Sequence, residues 1–171
     1  MFQKIYFFLA LTLCCQSAFS LESDFKQPIY FEAENSSFNY NQGIFSSSGG
    51  VRISQGTILI QAANAKGSLK NGQPYQITLS GNPVKFQQKV SEERGLTQGQ
   101  ANSILYDSTS SEITLKGNAS IKQADGSSLS AETLRYNLTV GDIEAKGSSN
   151  SNKRVKIVIP PQKNIQVRPL Q

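Results

Sequence analysis

A single strand-and-turn unit recurs along this chain, and no helix-forming stretch separates its copies. The clearest copies read Ile77-Thr78-Leu79-Ser80-Gly81-Asn82-Pro83-Val84-Lys85-Phe86-Gln87 and Ile113-Thr114-Leu115-Lys116-Gly117-Asn118-Ala119-Ser120-Ile121-Lys122-Gln123. Looser copies centre on Gly49-Gly50-Val51-Arg52-Ile53 and on Ile143-Glu144-Ala145-Lys146-Gly147, so successive turns fall 30 to 36 residues apart. Repetition at such a period points to a stacked β architecture. A tube or groove of repeated strands offers an elongated binding surface rather than one catalytic point.

Polar–apolar alternation runs through the chain and marks half-buried strands. Val51 and Ile53, Ile58 and Ile60, Val84 and Phe86, Ile104 and Tyr106, Ile113 and Leu115, and Leu134 and Tyr136 each alternate. Asn41-Gln42-Gly43, Asn71-Gly72, Gly81-Asn82, Gly117-Asn118, Asp125-Gly126 and Gly141-Asp142 separate these runs and read as hairpin turns, because Gly and Asn accept positive φ. In each unit an alanine precedes an apolar residue at an odd offset: Ala62 to Ala65, Ala101 to Ile104, Ala131 to Leu134 and Ala33 to Phe38. An odd offset moves the apolar row to the other face, which a flat strand cannot do without burying polar side chains. A bulge or corner resolves the conflict by bending the strand from one layer to a facing one. The expectation is an all-β antiparallel sandwich or jelly-roll tube, not one open sheet. Ile58, Ile104, Leu115, Ile121, Leu134 and Tyr136 fall on its inward face.

Gln87 to Gln100 is polar and charged and reads as a long loop. Gly147 to Asn152 reads as a flexible turn, followed by a strand over Val155–Ile159 that Pro160-Pro161 ends. The expected organisation is a cleaved leader over 1–20, one β-domain over 21–161 and a disordered tail over 162–171.

The leader has Lys4, a short apolar run from Ile5 to Leu13, and small residues at Ala18 and Ser20, the pattern of a secretory signal peptide. Leu13 before Cys14 disfavours a lipoprotein signal. Both cysteines, Cys14 and Cys15, lie in it, so the exported chain relies on β-pairing and an apolar core rather than on disulfides. With Lys4 set aside, sixteen basic residues face twelve acidic ones; Lys146, Lys153, Arg154, Lys156, Lys163 and Arg168 make the tail wholly positive. That end suits an acidic partner or a solvated surface. No aromatic residue is interleaved with it, which argues against nucleic acid as a partner.

The chain has no histidine, and no thiol beyond the leader. Candidate carboxylate pairs are Glu92 with Glu93, Glu32 with Glu34, and Asp142 with Glu144. Each sits in a polar loop or at a strand margin, where solvated charge is the simpler reading than glycoside hydrolysis. No enzymatic activity, metal or cofactor is expected. Asn-x-Ser/Thr triplets at Asn35, Asn118 and Asn137 carry little weight in a chain so rich in Ser and Asn.

Gln27-Pro28-Ile29-Tyr30-Phe31-Glu32, Gly49 to Ile58, Leu115-Lys116-Gly117-Asn118-Ala119, Ala131 to Tyr136 and Arg154 to Pro160 together resemble the LptA (OstA-like) family of periplasmic lipopolysaccharide-transport proteins. The resemblance covers nearly all of residues 26–161. The stretch Ala63-Asn64-Ala65-Lys66-Gly67 departs from the β-branched residues usual there, so that strand is expected to be short. The resemblance implies a twisted antiparallel β-jelly roll with an open apolar groove between two facing sheets. It implies lipopolysaccharide as ligand, through its lipid A part, carried as a bridge across the periplasm toward the outer-membrane translocon. The implied partners are an inner-membrane-anchored jelly roll, the translocon's periplasmic domain and further copies joined end to end. By position, Ile29, Phe31, Phe86 and Tyr106 match groove residues, with Lys70 and Lys85 as phosphate contacts at the rim. Ile29, Tyr30 and Phe31 at one end, and Val155, Ile157 and Ile159 at the other, would pair with partner strands. The inner-membrane member would keep its N-terminal helix, and the outer-membrane member would continue into a barrel. A secreted adhesin or carbohydrate-binding β module is the alternative from another class; the absence of Trp speaks against aromatic sugar platforms. A β-helix lyase would need a longer chain with clustered Asp.

Overall fold

A computed structural model of the chain describes residues 23–148 and 154–161. The expected leader and tail lie outside the described residues, as do positions 149–153 of the expected linker. A 3₁₀ turn at Asp24–Lys26 is followed by ten strands: β1 (Ile29–Glu32), β2 (Asn35–Asn39), β3 (Ile44–Gln55), β4 (Ile58–Lys70), β5 (Gln73–Ser91), β6 (Gly95–Asp107), β7 (Glu112–Lys122), β8 (Ser128–Asn137), β9 (Ile143–Lys146) and β10 (Lys156–Val158). All pairings are antiparallel and all belong to one sheet.

The sheet has eight columns. β1 and β2 share the first, both pairing with β3; β9 and β10 share the last, both pairing with β8. Every ladder from β3 to β8 breaks register at the same height: between Ser48 and Val51, Gln61 and Asn64, Ser80 and Val84, Gln100 and Ser103, and Lys116 and Ala119. These aligned bulges fold the sheet across its strands into two facing halves, because each bulge bends its strand and swaps its inward face. Contacts prove that the halves face each other. Phe86 of one half meets Tyr136 of the other, three columns away, with ring centroids 5.3 Å apart. Phe31 meets Phe45 edge-on at 5.2 Å.

The odd-offset alanines lie at this corner, as the pattern requires: Ala62, Ala65, Ala101 and Ala131 are buried there. The Gly-Asn pairs do not close hairpins. Gly81-Asn82 and Gly117-Asn118 lie inside β5 and β7, at the same corner. The preference that suits a hairpin, positive φ, also suits a bulge: Gly117 and Asn118 sit at φ 76° and 51°. Gly49 at φ 82° serves β3 likewise, and a Cβ there would overlap Glu34. The true hairpin turns include Asn71-Gly72, Asp125-Gly126 and Gly141-Asp142.

Three further expectations are corrected. The two layers are halves of one bent sheet, not two separate sheets. Residues 87–100 are no loop: β5 continues to Ser91, three residues turn, and β6 starts at Gly95. Their polarity has two causes. Gln87, Gln98 and Gln100 face outward, while the inward Gln88 is buried where its Nε2 reaches Asp24 and the Leu138 carbonyl, with the buried Thr97 opposite it. Finally, β4 is thirteen residues long, not short. Its small residues fit the corner, and Gly67 leaves room for the Phe45 ring, which would sit 2.6 Å from a Cβ there.

Three apolar rungs cross the interior. One half carries Phe31–Ile53–Ile60–Phe86–Gly99–Ile121–Leu129–Ile157, from the first column to the last. The other carries Phe38–Phe45–Gly67–Ile77–Tyr106–Ile113–Tyr136–Ile143 and Ser36–Ser47–Ala65–Leu79–Ile104–Leu115–Leu134–Ala145. Leu79, Ile104, Ile113, Leu115 and Leu134 are wholly buried; each such side chain contributes about 1.5–3 kcal/mol.

Candidate functional groove

The interior is closed in the middle columns and open at the first. Across the gap between the two halves, Gln88 Nε2 donates to the Leu138 carbonyl at 2.9 Å, and Arg94 donates to the Val140 carbonyl. Both contacts tie the β5–β6 hairpin to the β8–β9 turn. At the first column the halves part around a cavity of about 730 Å³, lined by Phe25, Ile29, Phe31, Phe38, Phe45, Leu69 and Ile77 together with polar residues that include Lys26, Gln27, Ser37, Gln55 and Gln73. Its size is that of an ordinary ligand site. A narrow apolar extension follows behind it, sharing Ile29, Pro74 and Ile77 and lined further by Ile58, Tyr106 and Leu138.

One wall of the cavity is the 3₁₀ segment, held by a buried carboxylate. Asp24 accepts from the Thr57 amide at 2.6 Å, the Thr57 hydroxyl at 2.9 Å and Gln88 Nε2 at 2.9 Å. This latch places Phe25 against the core. Deeper in, burial pushes the hydroxyls of Tyr136 and Tyr106 above the ordinary tyrosine value.

Of the groove residues expected from sequence, Ile29 and Phe31 line the open cavity, and Ile58 and Tyr106 line its extension. Phe86, Ile104, Leu115, Ile121, Leu134 and Tyr136 share the inward face but are fully packed core. Lys70 stands at the tip of β4 near the mouth, its ammonium 5.3 Å from the Tyr75 ring centroid. Lys85 lies on the outer face, between inward Val84 and Phe86, and so is not at the groove's rim. Sequence reasoning missed Phe25, Phe38, Phe45, Leu69 and Ile77 as lining residues; Phe38 and Phe45 had a signal, since they face each other where the alternation of β3 opens.

Among the described residues both ends of the sheet have a free strand edge, and exposed apolar side chains gather there. Tyr30, Phe31, Phe38, Tyr40 and Ile44 mark the first end; Val155, Ile157, Val158 and Ile159 mark the last. The candidate carboxylate pairs are surface charges. Glu32 lies 3.8 Å from Arg52, Glu144 bridges Arg135 and Lys146, and Glu92 bridges Lys89. Among the described residues no cluster of His, Cys, Asp or Glu is placed to hold a metal, and no helix is long and apolar enough to cross a membrane.

Fold and groove define a class: a β-jelly roll made of one bent sheet, apolar inside, with an open mouth and, among the described residues, a free strand edge at each end. The chain belongs to the family described as LptA/(LptD N-terminal domain) LPS transport protein, which matches residues 30–142. It is 30% identical to the lipopolysaccharide export system protein LptA of Haemophilus influenzae, over 92% of this chain and 91% of that one. It is 25% identical to the lipopolysaccharide export system protein LptH of Pseudomonas aeruginosa, over 95% of each. A crystal structure of the latter, described as the LptA-homologous periplasmic component of a lipopolysaccharide transport device, matches in fold with a TM-score of 0.74 at 24% identity, covering 82% of this chain and all of that one.

Proposed function

We propose that this protein is a non-enzymatic, periplasmic carrier of lipopolysaccharide that bridges the two membranes and passes lipid toward the outer-membrane translocon. The observation that carries the reading is the apolar interior that opens at the first column and whose rungs run the full width of the sheet. Each buried methylene contributes about 0.8 kcal/mol, so an acyl chain in water costs on the order of 10 kcal/mol. A lipid with several chains therefore needs apolar cover throughout an aqueous crossing. The open cavity gives the entry point, and the packed residues behind it become groove as the halves part.

The edges support the bridge. Eight columns is an even number, so the first and last strands run in opposite directions. A second copy, or a jelly-roll partner, added in line would continue the antiparallel alternation. It would also extend the rung that ends at Ile157 with the Phe31 of the next copy. Edges this apolar are an aggregation hazard unless they are used.

Depletion in cells tests the reading. Newly made lipopolysaccharide should accumulate at the inner membrane; normal delivery to the surface after depletion would rule the carrier out.

A further inference from the structure

The two outer faces of the bent sheet differ in charge. The half that carries Lys66, Lys116, Arg135 and Lys146 interleaves them with Asp107, Glu112 and Glu144. On the other half, two outward rows cross from β4 to β10. One reads Gln61–Lys85–Gln100–Ser120–Ser130–Lys156 and the next Leu59–Gln87–Gln98–Lys122–Ser128–Val158. From β4 to β10 these rows hold three lysines, four glutamines and no carboxylate; the first row continues from Gln61 through Arg52 to Glu32, which lie 3.8 Å from each other. The β4 to β8 portion of the rows, from Leu59 and Gln61 to Ser128, lines a shallow hollow of about 510 Å³ that Phe86, Gly99 and Ile121 also border; Lys156 lies beyond it. Among the described residues, none of these lysine and glutamine side chains has a hydrogen bond or ion pair within the protein.

From this face we infer a second binding site, for an anionic amino-sugar polymer. Glutamine amides donate and accept at once, which suits the hydroxyl and acetamido groups of sugar rings. The hollow runs across five columns, β4 to β8, about 19 Å at the spacing of paired strands. Lys85 and Lys122 stand in it, two columns and one row apart, or about 12 Å, and Lys156 continues the zigzag at the same interval just beyond its end. That interval is close to the length of a disaccharide, so the lysines suit a chain with one anionic group per disaccharide. A polymer of alternating N-acetylglucosamine and lactyl-substituted amino sugar has that chemistry. The absence of an aromatic platform makes each contact weak and the binding dependent on charge. The site rests on the periplasmic placement proposed above, but it shares no lining residue with the open cavity or its extension.

The test is a titration of the purified, isotopically labelled protein with a tetrasaccharide of N-acetylglucosamine and N-acetylmuramic acid bearing free lactyl carboxylates. Chitotetraose, with the same ring backbone and no carboxylate, is the control. The side-chain amide signals of Gln87, Gln98 and Gln100 should shift saturably with the acidic sugar. K85Q/K122Q should weaken binding by about tenfold while the fold's spectrum stays intact; K66Q/K116Q on the other outer face should leave binding unchanged. Equal binding of chitotetraose, equal loss in K66Q/K116Q, or no saturable shift would each overturn the site. No lipid enters this assay, so its failure would leave the carrier reading untouched, and failure of the carrier reading would leave the sugar titration interpretable.

Discussion

Replacing Asp24 with Ala removes the acceptor that fastens the N-terminal segment across the groove. The cost follows from what each donor can do afterwards. The Thr57 hydroxyl keeps an alternative acceptor in the Lys89 carbonyl at 3.2 Å, and Gln88 Nε2 keeps the Leu138 carbonyl at 2.9 Å. Only the Thr57 amide loses its sole partner, and a partly buried donor left so costs about 1–3 kcal/mol. Loosened packing of Phe25 adds to this, for a total of about 2–3 kcal/mol. In a chain of this size that lowers the melting temperature by about 5–10 °C. Asp24→Asn keeps an oxygen for the Thr57 amide but turns a donor toward Gln88, so about half the loss is expected. Thermal unfolding followed by circular dichroism reads both variants. If Asp24→Ala melts within about 1 °C of the parent, the segment is not latched as described and the cavity has no fixed wall there.

Three other outcomes follow from the packing. Gly67→Ala sets a methyl against the Phe45 ring and 2.8 Å from the Gln76 carbonyl, and should cost about 1–3 kcal/mol in urea unfolding. Tyr136→Phe should be close to neutral near neutral pH, because the buried hydroxyl makes no well-formed hydrogen bond and only the Thr97 side chain stands near it. Burial raises the folded-state pKa of Tyr136 and Tyr106 above 10.0, so the unfolded chain ionises first: stability is level below that pH and falls above it. Urea midpoints from about pH 8 to 11 should therefore fall less in Tyr136→Phe than in the parent. Ile157→Asp combined with Ile159→Asp should weaken end-to-end association in sedimentation without lowering the melting temperature, since both side chains are largely exposed.

Much of the fold was legible because two signals are local. Alternation gives the strands, and the odd alanine offset gives the corner where Ala62 and Ala65 both turn inward. The Gly-Asn pairs were misplaced because positive φ serves a hairpin and a bulge equally. Residues 87–100 were missed as strand because an inward Gln88 is tolerable only next to Asp24 and the Leu138 carbonyl, which are distant in sequence. The same limit applies to the groove. Alternation identifies the inward face, but whether a residue there lines space or fills core depends on where the halves separate. That is decided by the 3₁₀ segment and by the Arg94 and Gln88 contacts to the β8–β9 turn. Phe31 and Leu134 carry the same pattern and end in different surroundings.

Site-specific photo-crosslinking in cells addresses the central claim most directly. A crosslinking residue at Phe31 in the open cavity, or at Tyr106 in its extension, should capture lipopolysaccharide, whereas one at the outward-facing Glu112 should not. Capture at Glu112 with none at Phe31 or Tyr106 would contradict the claim that the inner apolar face carries the lipid.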